Sequence, residues 1–133
     1  MIKYLLFFPI FFACQTGDIK KNQYFVEGLA LYKTHCANCH QLDGSGLEGL
    51  YPPIANSDFL KGNKLKMICF IHNGLNDSLA VNSKQYNQPM PANRALEPLD
   101  LAEIATYVYN KWGSETKITE VPEVEETLKK CGK

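Results

Sequence analysis

Cys36-Ala37-Asn38-Cys39-His40 constrains this chain more than any other segment. Two cysteines three positions apart fall on one face of a helical turn, so both thiols point the same way. The imidazole that follows is carried to within one residue of the second thiol. A group held at three points by five consecutive residues is fixed to the chain, and the remaining sequence has to fold around it.

Three kinds of group fit two thiols and an imidazole. A zinc site needs a second Cys/His pair at matching spacing. The remaining candidates, Cys69, His72 and Cys131, do not supply one. A dithiol redox pair normally sits on a βαβ scaffold, and no parallel-strand pattern is visible. The third reading is C-x-x-C-H as a c-type haem attachment sequence. Each thiol then forms a thioether with a haem vinyl, and His40 is brought under the iron. Formal net charge is zero over 133 residues, so no field favours nucleic acid.

The N-terminus reads as a leader. Lys3 supplies one charge, and Tyr4 to Phe12 form an apolar stretch. That stretch is far short of the roughly 20 residues a spanning helix needs. It fits the apolar region of a secretory signal peptide, residues 1–13. Phe11-Phe12-Ala13-Cys14 resembles a bacterial lipoprotein signal, with an aromatic where leucine is usual. The resemblance implies cleavage before Cys14 and acylation of that cysteine. Of five cysteines, one lipid site and two thioethers leave Cys69 and Cys131. An oxidising compartment permits these two to pair; the alternative is two unrelated thiols. Lys61, Lys64 and Lys66 cluster, as do Glu120, Glu123, Glu125 and Glu126. Solvated faces are the default reading of both groups, and docking is the other.

Residues 14–23 are polar and read as a flexible, lipid-anchored tether. From Tyr24 the pattern is helical, with Phe25, Gly28, Leu29, Tyr32 and Cys36 at three- and four-residue intervals. Asp43-Gly44-Ser45-Gly46 ends it, and a loop continues through Tyr51-Pro52-Pro53. Residues 57–61 read as a short turn or helix. Leu65, Ile68, Ile71, His72 and Leu75 predict a second helix ending near Asn73-Gly74. Residues 76–95 read as a long connection without regular structure, and no strand-like alternation of useful length is found. Pro98 opens a further helix with Leu101, Ile104, Ala105, Val108 and Trp112 as its stripe and Gly113 as its C-cap. A last short helix is expected from about Thr119.

Iron with one histidine ligand needs a sixth ligand or keeps an open position. After the leader, the candidates are His35, His72, Met67 and Met90. His35 is too close to His40 to cross to the opposite haem face. Met67 reads as a core or surface filler. Met90 stands between Pro89 and Pro91, whose fixed backbone stiffens the loop that would present a thioether.

At these residues the chain resembles the class I cytochrome c family. Gly28 and Tyr32, before Cys36, match the glycine and aromatic at the crossing of that family's first and last helices. Ile104 and Tyr107 match the partner positions, and Met90-Pro91 matches the distal-ligand loop. Pro52 resembles the proline whose carbonyl accepts the proximal histidine's Nδ1–H, with Pro53 a close competitor. The resemblance covers residues 24–113. Trp112-Gly113 and the Val121 to Leu128 region look like the tail of bacterial monohaem cytochromes from respiratory chains, so residues 114–133 are expected as an extension packed on the domain.

The resemblance implies an all-α cytochrome c fold around one covalently attached haem c, with His40 and Met90 as iron ligands. It implies an electron carrier rather than an enzyme, exported to the periplasmic side and anchored to the membrane by lipid. Its partners would be redox proteins, met transiently or within a respiratory complex, and the chain itself a monomer. The alternatives are a haem-based gas sensor or a small haem enzyme with a labile distal ligand.

Overall fold

The computed structural model describes residues 16–131. The signal peptide and Cys14 lie outside the described residues. Five helices and one hairpin follow in order: α1 (Thr16–His35), α2 (Ala37–His40), α3 (Lys64–Asn73), β1 (Leu79–Val81), β2 (Lys84–Tyr86), α4 (Pro98–Lys111) and α5 (Val121–Leu128). Mostly helical, with little sheet, the chain has the all-α cytochrome c fold.

α4 is the spine. Every residue from Leu101 to Tyr109 is buried, because α1, α3 and α5 all pack against it. Its start is specified locally. Pro98 occupies the first turn, and Asp100 Oδ2 accepts the Glu97 N–H at 2.8 Å in a reciprocal capping box. The α1–α4 crossing turns on Gly28. A Cβ there would overlap the Glu103 carbonyl and lie 2.8 Å from Tyr107 Cβ. Aromatic rings seal the crossing: Tyr107 has Phe25, Tyr32 and Trp112 at 5.1, 5.4 and 5.5 Å. Such pairs contribute about 0.5–1.5 kcal/mol each beyond area burial.

Three expectations are corrected. Residues 16–23, read as flexible tether, are the first turns of α1. The buried ring of Tyr24 anchors them to the core. Lys20 Nζ lies over that ring and pairs with Glu120 at 2.9 Å. Residues 76–95 are not structureless, for they contain the β1–β2 hairpin. Its two-residue turn, Asn82-Ser83, has both residues at positive φ (51 and 62°), which suits the twist of the flanking strands. Asn82 also ties the hairpin to the 56–58 loop, donating from its backbone to Asp58 Oδ1 and accepting the Asp58 N–H at its own Oδ1. Finally, Gly113 is not the left-handed residue after α4; Ser114 is, at φ 63°. Gly113 is required by space, since a Cβ there would lie 2.6 Å from the Tyr109 ring.

Residues 114–131 fold back on the body. The Thr119 N–H donates to Thr106 Oγ1 inside the core at 2.9 Å, and Val124 is fully buried. Cys131 is disulfide-bonded to Cys69 on α3 across 62 residues. Lys64 leaves the solvated lysine cluster and bonds Glu115 and Glu123 at 3.1 and 3.4 Å. Among the described residues no helix is long and apolar enough to cross a membrane.

Candidate haem site

α1 ends one residue before the attachment sequence, and α2 carries the rest of it. The Cys36 N–H still bonds to Tyr32 O at 2.9 Å, so Cys36 continues the register of α1, and its own carbonyl accepts the His40 N–H at 2.9 Å to start α2. Both thiols are free, Cys36 buried and Cys39 half-buried. Burial, with the neighbouring Cys39, pushes the Cys36 thiol up to about 12. Gln41 immediately follows at φ 62°, a region that costs a non-glycine residue about 1–3 kcal/mol. Its carbonyl accepts the Tyr32 hydroxyl at 2.8 Å, which ties the strained position to the buried face of α1.

His40 is oriented from the loop that follows. Its Nδ1 lies 2.9 Å from Pro52 O. A carbonyl only accepts, so Nδ1 carries the proton and Nε2 is left to act as a ligand. The contact falls on Pro52 rather than Pro53. Burial lowers the His40 pKa, and the Pro52 contact works against that fall. The loop closes over short bonds: Gly46 N–H to His40 O at 3.0 Å, and Ile54 and Ala55 N–H to Gly44 O at 2.8 and 2.9 Å.

Met90 is held from the other side. Its N–H and carbonyl both pair with Leu75, at 2.8 and 2.9 Å, directly after α3. Asn93 N–H adds a bond to Ile71 O at 2.9 Å. Gly74 makes this possible. It turns the chain at φ 77°, and a Cβ there would lie 2.7 Å from Met90 O. Sequence reasoning credited the flanking prolines alone; Asn73-Gly74 carried the missing signal but read only as a helix end.

Two cavities meet at these side chains. The larger encloses about 600 Å³, counting its open mouth. Tyr32, Ile54, Leu60, Ile71, Ile104 and Val108 give it an apolar wall. The second, about 470 Å³ on the same measure, is bounded by Cys39, Tyr51, Leu75, Tyr86 and Pro91. His40, Pro52 and Met90 line both. Met67 packs against the core and lines only the first, away from the junction. His72 lines neither, and its buried Nδ1 has no partner. His35 is exposed at the end of α1. Val81 and Tyr86, from the unforeseen hairpin, each wall one cavity.

Cys69 and Cys131 are joined to each other, so no thiol pair remains among the described residues to complete a zinc site. Two thiols, an imidazole with Nε2 unengaged and a thioether around an apolar space suit a covalently attached haem. Residues 25–112 match the family described as Cytochrome c. Two cytochromes c-552 of Thermus thermophilus are each 28% identical to this chain over 96 residues. The alignment covers 69% of this chain, and 72% of one relative and 64% of the other. The chain belongs to the cytochrome c family, as a class I monohaem c-type cytochrome with one covalently attached haem c. That makes it a haem protein of the electron-carrying class.

Proposed function

We propose that this protein exchanges single electrons with a redox protein outside the cytoplasm, with haem attached through Cys36 and Cys39 and its iron held between His40 and Met90. The observation that carries the reading is that His40 and Met90 line both cavities, each fastened by main-chain bonds to a different part of the chain. When bound, the haem supplies a one-electron iron couple, and methionine ligation raises its potential. Pro52 keeps the His40 ring in one tautomer and strengthens it as a ligand. The Leu75 pairing keeps the Met90 backbone in place, so its thioether would be available as the second ligand to the iron. The apolar wall excludes water.

Leu42, Leu47 and Leu50, in the loop between His40 and Pro52, are 62, 47 and 48% exposed. Exposed leucines of this kind, interspersed with Asp43 and Glu48, suit the small, weak interfaces of redox encounters. Acylation at Cys14 would hold the protein, as a monomer, to the periplasmic side of a membrane.

Oxidised and reduced absorption spectra, with and without carbon monoxide, test the ligation. Sharp low-spin bands, a weak far-red methionine–iron band and no response to carbon monoxide are expected. Met90→Ala should abolish the far-red band, lower the potential and admit carbon monoxide. Unchanged spectrum and potential in that variant would remove Met90 as ligand. Carbon monoxide binding by the unaltered protein would favour the gas-sensor or small-enzyme reading.

A further inference from the structure

An asparagine followed by glycine is the side-chain amide a polypeptide protects least. The backbone nitrogen of the next residue attacks the asparagine Cγ, and a glycine there has no Cβ to block the approach. Asn73-Gly74 is the one Asn-Gly pair in this sequence. It lies where α3 ends, between Ile71, whose carbonyl accepts the Asn93 N–H, and Leu75, which pairs with Met90. The Asn73 side chain is exposed. Among the described residues no hydrogen bond holds its amide. The two Asn-Ser pairs are better guarded. Asn82 has its amide engaged from both sides, by the Asp58 N–H and the Asn56 carbonyl. Asn56 is followed by Ser57, whose side chain is packed into the surface at 8% exposure and crowds the attacking nitrogen.

We propose that Asn73 is a deamidation site whose conversion loosens the hold on Met90. The Gly74 nitrogen gives up its proton and bonds to Asn73 Cγ. The Cγ–Nδ2 bond breaks, ammonia leaves with that proton, and a cyclic imide closes. Water then opens the ring at either carbonyl. One opening leaves an aspartate in an unaltered main chain; the other leaves an isoaspartate, with the main chain routed through Cβ. Nothing is oxidised or reduced: water enters and ammonia departs. The contact that opposes the attack is the Gly74 N–H bond to Phe70 O at 2.9 Å. It is the last bond of α3, and helix ends fray.

The two products act on Met90 unequally. Both place a carboxylate at a helix C-terminus, where the helix dipole disfavours negative charge. Isoaspartate also lengthens the main chain by one atom directly before Gly74. There is no slack at that point. A Cβ on Gly74 would already lie 2.7 Å from Met90 O, and Leu75 is bonded to Met90 at 2.8 and 2.9 Å. The added atom therefore pushes Leu75 out of register with Met90. The consequence for the iron rests on Met90 as its ligand.

The test ages the holoprotein in warm, mildly alkaline buffer and separates the products by anion exchange. Peptide mapping locates the mass gain of hydroxyl for amide, and an isoaspartyl methyltransferase marks isoaspartate. The far-red band and the carbon monoxide response are read on each fraction. The peptide holding Asn73 is expected to convert ahead of both Asn-Ser pairs, and the isoaspartate fraction to lose the band and bind carbon monoxide. Asn73→Gln should keep its band through the same treatment. Asn73→Asp, which adds the charge without the extra atom, should keep it too. Earlier conversion at another asparagine, or an isoaspartate-73 fraction with its band intact, would overturn the proposal. A fresh protein without the far-red band would instead refute Met90 as ligand and the consequence for the iron, while the mass gain at residue 73 still decides the site.

Discussion

At Gly74 two demands fall on one residue: a left-handed backbone and bare space against Met90 and Ala92. Alanine meets neither. Gly74→Ala should lose about 1–3 kcal/mol of stability from backbone strain alone. The displaced Leu75–Met90 pairing should also weaken the far-red methionine–iron band, read in the same sample. Glu103 makes a different residue-scale test. It is buried beside the α1–α4 crossing, and burial first, then Glu27 and Asp100, raise its pKa. A folded-state pKa above the unfolded one means the native state binds the proton more tightly. Stability therefore falls as pH rises from the unfolded to the folded value, and the penalty persists above both. Glu103→Gln should accordingly raise the melting temperature at neutral pH and show no such gain below the ordinary carboxylate range. Sequence identified His40, both cysteines and Met90 as site candidates. The resemblance favoured Pro52 and kept Pro53 as a competitor, because two adjacent carbonyls differ only in where the closed loop aims them; the His40 contact falls on Pro52.

Elements were legible where their signals were local. α3, α4 and α5 follow their apolar stripes, and Pro98 and Gly74 mark boundaries within the chain's own neighbourhood. The start of α1 was not, because its support comes from far away: Glu120 lies a hundred residues from Lys20. That exposed pair is screened by solvent and contributes little, so the buried Tyr24 ring matters more. The hairpin escaped for another reason, since strands of three residues are too short for alternation to register. The segment joining α4 to α5 offers a paired test. Thr106→Val leaves the buried Thr119 N–H without an acceptor and should cost about 1–3 kcal/mol in denaturant unfolding. Thr119→Val instead removes a buried hydroxyl that has no partner and should raise stability. Equal effects from the two would show that the core hydrogen bond is not what fixes this segment.

Among the described residues, the first turns of α1 and the segment after α4 both pack on the body between them. α5 packs on α3 and α4, and the Cys69–Cys131 bond closes a loop of 62 residues. Constraint of the unfolded chain by such a loop stabilises by roughly 4 kcal/mol on the chain-entropy account. Replacing both cysteines with serine should lower the unfolding free energy by about that much and leave the native absorption spectrum unaltered. A changed spectrum would mean the bond also sets the position of α3 against the slot.

The slot is divided along the chain as well as in space. Cys36, Cys39, His40 and Pro52 come from one short early stretch, whereas Met67, Met90, Ile104 and Val108 all come later. With haem attached at that early stretch, most of the enclosing wall would close against it from residues that lie later in the chain, so the haem would complete the core as well as occupy it.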